Sequence, residues 1–277
     1  MADVFKEGFF RTLWILRDYL PELVIGGGWA PLIYHHYLIG DKSSEPIRTK
    51  DIDILVPEKL PVIGAKKVDE LLLEAGLEPV FRSRGTPPVV SYEGDIDGYE
   101  VEIEFLTDQS GAKDAVVVRV QDGLNAQSLR YISILTDNAI EVEVDDFYCR
   151  EKLWLLTVRV PSPASYIFHK GLIFTRRNKE QKKTKDLYYI FDILANCPEL
   201  HEEIYSQLKG LKGAYHLRWF ETFARNLKDH FSDILSDGID LVASQRPTGA
   251  FPGLDDGQFK QYVLETFKDF IGKLELL

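Results

Sequence analysis

The sequence predicts a mixed-sheet α/β (α+β) domain followed by a helical C-terminal domain. Helical and strand-like segments alternate in the first half of the chain, and several short strands then follow one another as far as residue 146. From Pro161 onward the pattern becomes helical and stays so. We place the boundary at the Pro-Ser-Pro segment and expect domains of residues 1–160 and 161–277.

The N-terminal elements follow from apolar spacing and from the positions of glycine and proline. Pro21 ends the first helix, and a proline in the first turn of the second is tolerated there. In chain order, the pattern predicts a helix over residues 4–20, a strand in "ELVIGGG", a helix in "WAPLIYHHYL", a strand in "DIDILVP" and a helix in "AKKVDELLLEAG".

Strand-like runs dominate the segment that follows. They are "PVVSYEG", "YEVEIEFLT", "AVVVRV", "RYISILT" and "AIEVEV". The "DIDG" between the first two predicts a hairpin turn, because Asp-Gly favours that geometry.

Composition restricts the class of protein before any motif is considered. The chain has 277 residues and a formal net charge of -11, which argues against a generally basic nucleic-acid-binding surface. Its two cysteines form no CxxC pair, which favours a reducing compartment. We find neither a signal peptide nor an apolar run long enough for a membrane helix, so we expect a cytoplasmic protein without membrane contact.

Two neighbouring strands carry candidate metal ligands. Asp51 and Asp53 share one face of the "DIDIL" strand, because residues two apart point the same way. Two carboxylates on one face repel each other unless a cation lies between them, and hard oxygen ligands suit Mg²⁺ or Mn²⁺. The "YEVEIEFLTD" strand offers a third carboxylate, and the alternation leaves Glu102 and Glu104 as equal candidates. Two solvated aspartates at an exposed strand end are the simpler alternative.

The three glycines 26–28 lie between a predicted strand and a predicted helix. Such a turn exposes backbone N–H groups and the positive end of the helix dipole, a combination that binds phosphate. Neither the dinucleotide fingerprint nor a Walker A loop fits the surrounding residues. A tight strand-to-helix turn is the alternative interpretation.

The segment "HKGLIFTRRNKEQKKTKD" is locally basic. It carries seven Lys or Arg residues between Lys170 and Lys185, against the single acid Glu180. In an acidic chain this favours a cationic clamp for a triphosphate or a nucleic-acid backbone. A solvated helix-loop-helix linker is the alternative.

Together these motifs resemble the DNA polymerase β-like nucleotidyltransferase superfamily. The shared pattern is a glycine turn opening a helix, then DxD on the next strand, then an acid on a later strand: "IGGGWA", "TKDIDILV" and "VEIEFLTD". The segment "PSPASYIFHKGLIFTRR…KKTKDLYYIFDIL" resembles the K…R…KD segment of AbiEii-type nucleotidyltransferases, a group that includes toxins of toxin–antitoxin systems. The resemblance covers residues 22 to about 194.

The resemblance implies a role for particular residues. It implies that Asp51, Asp53 and Glu104 are catalytic metal ligands, with Glu102 as the fallback for the third. The residues that it implies for nucleotide binding are Gly27, Gly28, Lys50, Lys170, Arg177, Lys185 and Asp186.

We therefore expect a metal-dependent nucleotidyltransferase that moves NMP from an NTP to an acceptor hydroxyl, with Mg²⁺ or Mn²⁺ as cofactor. The resemblance makes the tRNA 3′ end a plausible acceptor and an antitoxin a candidate partner. The acidic composition favours instead a small cationic acceptor such as an aminoglycoside. A non-catalytic module that binds a nucleotide or a partner is the third alternative.

Overall fold

The computed structural model describes residues 4–47, 49–82, 89–109, 117–149 and 152–277. The chain divides into two compact units, Met1–Ser162 and Pro163–Leu277. The first contains the sheet and the second contains helices, which confirms the predicted fold class.

The described residues of the first unit form nine strands. They are β1 (Val24–Ile25), β2 (Asp51–Leu55), β3 (Leu77–Arg82), β4 (Val89–Ile96), β5 (Tyr99–Asp108), β6 (Val117–Gln121), β7 (Leu124–Leu129), β8 (Ala139–Cys149) and β9 (Lys152–Pro161).

These strands make one mixed sheet. Its main path runs β3-β4-β5-β2-β1-β9-β8, with β7 added to the end of β5 and β6 paired to β7. The β2–β5, β1–β9 and β5–β7 pairs are parallel, and the others are antiparallel. Strands β2 and β5, which carry the candidate carboxylates, are therefore neighbours in the interior of the sheet.

The described part of the first unit also contains four α-helices: α1 (Val4–Ile15), α2 (Trp29–Ile33), α3 (Val68–Glu74) and α4 (Ile132–Thr136). Helix α1 ends earlier than predicted, because a 3₁₀ turn over Arg17–Glu22 accommodates Pro21. Helix α2 continues as a π-helical turn over Tyr34–Leu38, so the predicted helix "WAPLIYHHYL" is helical throughout.

The prediction of a strand in "RYISILT" is wrong. Most of this segment forms α4, and β7 ends just before it. Tyr131 has a φ of 70°, which turns the chain out of β7. The Asp108 carboxylate then accepts the Ser133 N–H at 2.9 Å. The β-branched composition favours a strand, but the contact with Asp108 of β5 and the burial of Ile132, Ile134 and Leu135 favour the helix.

The hairpin turn between β4 and β5 is confirmed. Asp97 and Gly98 both have positive φ angles, 54° and 89°, as a two-residue turn of this type requires. Three strands were not predicted: β3, which follows α3 closely, β7, which pairs with β5 and β6, and β9, which pairs with β8 along most of its length.

The second unit has six helices in its described residues: α5 (Pro163–Ile173), α6 (Glu180–Asn196), α7 (His201–Ala214), α8 (Leu217–His230), α9 (Asp237–Ser244) and α10 (Asp256–Glu275). Aromatic side chains dominate its core, as in the edge-to-face pair Phe168–Phe223 and the stacked pair Phe231–Phe267. None of the helices in the described ranges combines the length and the apolar composition needed to cross a lipid bilayer.

Candidate active site

The register between β2 and β5 brings the candidate acids together. Asp51 lies opposite Glu102 and Asp53 lies opposite Glu104. The intervening Ile52 and Ile103 are buried on the other face of the sheet. This alternation anchors both strands in the core and leaves all four carboxylates on one face.

Three of these acids form a compact group. Asp51, Asp53 and Glu104 each offer a carboxylate oxygen, and these oxygens lie within 4.8 Å of one another. All three side chains are half-buried. Three converging carboxylates supply the hard oxygen ligands that Mg²⁺ and Mn²⁺ prefer, so the donor set fits such an ion. Glu102, the fallback third acid, is opposite Asp51 but does not belong to this group.

The glycine turn lies against the second aspartate. The Gly26 N–H donates to the Asp53 carbonyl at 2.8 Å, which extends the β1–β2 pairing by one residue. Gly27 has a φ of 57°, and a Cβ there would overlap the Asp53 carboxylate, with only 2.9 Å to its Cγ. The backbone can therefore approach this carboxylate so closely only because residue 27 is glycine. Gly28 directly precedes α2.

Trp29 is a residue of the site that the sequence analysis did not single out. Its indole Nε1–H donates to the Asp51 carbonyl at 3.1 Å, and the Thr49 hydroxyl donates to the same carbonyl at 3.0 Å. The sequence does show a tryptophan directly after the three glycines. The acceptor of its indole N–H, however, can be identified only from the fold.

Lys50 lies at the entry to β2. Its Nζ is 2.6 Å from the Glu100 carboxylate, and both side chains are exposed. The hydrogen bond to Glu100 raises the pKa of Lys50. The surrounding surface is acidic, since Glu93, Asp95 and Glu102 line the same depression.

The remaining predicted nucleotide-binding residues belong to the second unit. Lys170 Nζ lies 2.6 Å from one Asp186 oxygen, and Arg177 Nε lies 2.6 Å from the other. Lys170 and Asp186 are buried, whereas Arg177 is partly exposed. Lys185 is half-buried beside Asp186 on α6. The structure thus brings Lys170, Arg177 and Asp186 into one ion-pair network.

Electrostatics within this network set two protonation states. Burial by itself would raise the pKa of the Asp186 carboxyl, but Lys170 and Arg177 outweigh it and hold that pKa below its usual range. The adjacent His169 is fully buried, and desolvation together with the same two cations lowers its pKa to about 3. Asp186 is therefore charged and His169 neutral near pH 7.

The mixed sheet carries a half-buried acidic triad whose donor set fits a divalent cation, and a glycine turn lies against it. The sequence model of a family described as nucleotidyltransferase matches residues 19–204, more than half of the chain. The chain therefore belongs to this nucleotidyltransferase family.

Two other comparisons add less. A crystal structure of an antigenic nucleotidyltransferase-like protein from Paracoccidioides brasiliensis is similar at 16% identity, covering 79% of this chain and 91% of that chain, with a TM-score of 0.37. The comparison with curated proteins gives no match.

Proposed function

We propose that this nucleotidyltransferase uses Asp51, Asp53 and Glu104 to transfer NMP from an NTP to an acceptor hydroxyl. The convergence of these three carboxylates to within 4.8 Å is the observation that carries the proposal. Like charges brought so close favour an arrangement with a cation between them. Bound Mg²⁺ or Mn²⁺ would stabilise the negative charge on the attacking and leaving oxygens.

In the proposed reaction, the acceptor oxygen forms a bond to the α-phosphorus of the NTP. The bond from that phosphorus to the bridging oxygen breaks, and pyrophosphate leaves with the electron pair. Glu104 accepts the proton of the acceptor hydroxyl, as a carboxylate within the site can do. Asp51 and Asp53 would hold the ion, which would supply positive charge for the triphosphate.

The glycine turn contributes the second part of the nucleotide site. Gly27 and Gly28 present backbone beside the Asp53 carboxylate, and the absence of a Cβ at Gly27 leaves this approach open. We assign these two residues to the triphosphate. Lys50, which pairs with Glu100 at the entry to β2, is the further residue that we assign to the nucleotide in this unit.

The second unit carries the remaining residues that the sequence resemblance assigns to nucleotide binding. Lys170 and Arg177 each donate to one oxygen of Asp186, and cationic donors of this kind also bind phosphate. In this proposal Lys170, Arg177 and Lys185 interact with the nucleotide phosphates, and Asp186 orients Lys170 and Arg177.

We place the tRNA 3′ end first among acceptors. Lys179 and Lys182 are exposed at the start of α6, within the locally basic segment. Exposed lysines on an otherwise acidic chain favour an RNA backbone over a small cation at this surface. Pairing with an antitoxin remains a prediction of the sequence resemblance.

The test is a labelling assay. The protein is incubated with each α-³²P-labelled NTP, Mg²⁺ or Mn²⁺, and total tRNA. Asp53→Asn keeps the side-chain shape but removes a ligand charge, and we expect it to abolish transfer. Glu143→Gln, which removes an exposed carboxylate from β8, is the matched control and should retain full activity. Full activity of Asp53→Asn would refute the site.

The two candidate third acids are separated by a parallel pair of variants. Glu104→Gln should abolish transfer, because Glu104 belongs to the compact group. Glu102→Gln should leave most activity, because Glu102 does not. The reverse result would assign the third ligand to Glu102.

A further inference from the structure

We propose that Trp29 is a positioning residue for the metal site: its indole N–H fixes the peptide of Asp51 and so sets the affinity of the triad for a divalent cation. This inference rests on the proposed metal role of Asp51, Asp53 and Glu104. It adds a residue outside the acidic pattern and assigns it one measurable effect.

The need for such a residue follows from the sheet. Strand β1 has only two residues, and its ladder with β2 pairs Val24 with Leu55 and Ile25 with Ile54. The two aspartates lie beyond these pairs, where the described part of β1 gives β2 no further strand partner. Strand β5 pairs with β2 at both aspartates, whereas on the side of β1 the carbonyls of Asp51 and Asp53 accept hydrogen bonds from groups outside the β1 strand.

The glycine turn and the residue after it provide those groups. The Gly26 N–H donates to the Asp53 carbonyl at 2.8 Å, and the Trp29 indole donates to the Asp51 carbonyl at 3.1 Å. The turn thus holds the carbonyls on both sides of Ile52. A strand residue whose peptide is fixed has a fixed Cα–Cβ direction, so these bonds orient both aspartate side chains.

The indole is itself held rigidly. Trp29 is 1% exposed, and its ring stacks on Phe9 with centroids 4.1 Å apart and planes 4° apart. A buried indole N–H requires an acceptor, and the Asp51 carbonyl satisfies it. The position of the Asp51 peptide is therefore coupled to the packing of α1 against α2.

The Asp51 carbonyl has a second donor, which makes a clean test possible. Thr49 Oγ1 donates to the same oxygen at 3.0 Å. Trp29→Phe removes the indole donor together with the volume of one ring, and it keeps an aromatic ring against Phe9. Thr49→Val removes only the hydroxyl at nearly constant shape. Each single variant leaves the carbonyl with one donor, so each should fold.

The experiment measures Mn²⁺ binding by isothermal titration calorimetry on the full chain without nucleotide. We expect Trp29→Phe to raise the Mn²⁺ Kd by about 3- to 10-fold, the value of one hydrogen bond. The double variant with Thr49→Val should lose more than the product of the two single effects, because the carbonyl then has neither donor. The control is Trp14→Phe, which makes the same substitution away from the glycine turn. This variant should bind Mn²⁺ with the affinity of the wild type.

A purely structural role predicts a different result. It would lower the unfolding temperature of Trp29→Phe without changing Mn²⁺ affinity in the folded protein. Positioning predicts a higher Mg²⁺ requirement in the transfer assay, with much of the lost activity recovered at saturating Mg²⁺. Wild-type Mn²⁺ affinity in folded Trp29→Phe would overturn this inference alone. A wild type that binds no Mn²⁺, or an Asp53→Asn variant that binds it normally, would overturn the proposed site and the inference together.

Discussion

At the residue scale, Asp186 shows how a single carboxylate can serve two cations. Each of its oxygens receives one charged donor at 2.6 Å, from Lys170 and from Arg177. Lys170 Nζ also lies 5.3 Å and 5.4 Å from the ring centroids of Tyr166 and Tyr189. A buried ammonium has lost its hydration. In this position the partner carboxylate supplies nearly all of the interaction energy that offsets that loss.

We therefore predict that Asp186→Asn lowers the free energy of unfolding by about 3 to 5 kcal/mol, because it leaves the buried Lys170 charge without its counter-ion. Urea denaturation monitored by circular dichroism measures the change. The control is Glu275→Gln, which breaks the exposed pair with Lys228 in the same unit. It should change stability too little to detect. Equal losses in the two variants would contradict the buried role of Asp186.

His169 gives a prediction about pH. Its pKa is about 3 in the folded chain, against about 6.5 in an unfolded chain. Between these values the unfolded chain binds a proton that the folded chain does not, so stability falls as the pH drops below about 6.5. The contribution is up to about 1.4 kcal/mol per pH unit.

The measurement is urea denaturation of the wild type and His169→Gln at pH 7, 6 and 5. The variant lacks the titrating group, so its stability should fall less steeply between pH 6 and 5. The same slope in both proteins would show that His169 is protonated in the folded state.

At the scale of elements, the glycine turn controls how closely α2 approaches β2. Gly27 and Gly40 both have positive φ angles, 57° and 77°, but only Gly27 faces a neighbour that a Cβ would overlap. This gives a matched pair of substitutions. Both Gly27→Ala and Gly40→Ala impose a left-handed conformation on alanine, at a cost of about 1 to 2 kcal/mol.

We predict that only Gly27→Ala also loses nucleotidyl transfer, by about 100-fold, because the new methyl group displaces the Asp53 carboxylate by a substantial fraction of an ångström. The labelling assay gives the activity and thermal unfolding gives the stability. A comparable activity loss in Gly40→Ala would assign the effect to lost stability instead of to the carboxylate.

The same elements show what a sequence can and cannot predict. Alternation in "YEVEIEFLTD" places Val101, Ile103 and Phe105 in the core, and all three are buried. Which glutamate meets the aspartates depends on the register between β5 and β2, and that is set by packing across the sheet. Helix α4 was missed for a related reason, since its start depends on the Asp108 carboxylate of another element.

At the scale of the whole molecule, charge is unevenly distributed. The chain carries a net charge of -11, yet the segment from Lys170 to Lys185 is basic. The sequence predicted this reversal, and the resemblance assigned Lys170, Arg177 and Lys185 to the nucleotide, but neither showed which cations are buried. The structure separates them: Lys170 is buried on Asp186, whereas Lys179 and Lys182 are exposed. Only burial, which sequence does not give, distinguishes an internal ion pair from a surface able to contact a macromolecule.

The exposure of Lys179 and Lys182 leads to a prediction about how the acceptor binds. If tRNA is the acceptor, each exposed lysine that contacts a phosphate displaces about one counter-ion, so affinity falls as salt rises. The Lys179→Ala/Lys182→Ala double variant should therefore bind tRNA more weakly and reduce the slope of log K against log salt by about 1 to 2. Fluorescence anisotropy with labelled tRNA at several salt concentrations measures both quantities.

The control for this prediction is Lys209→Ala/Lys268→Ala, which removes two exposed lysines from α7 and α10 and changes the net charge by the same amount. A general effect of net charge would alter both double variants equally, whereas a specific surface alters only the first. If neither variant changes the slope, the basic segment does not contact the acceptor. The acidic surface around Glu93, Asp95 and Glu102 would then favour a small cationic acceptor, to be tested in the same labelling assay with an aminoglycoside in place of tRNA.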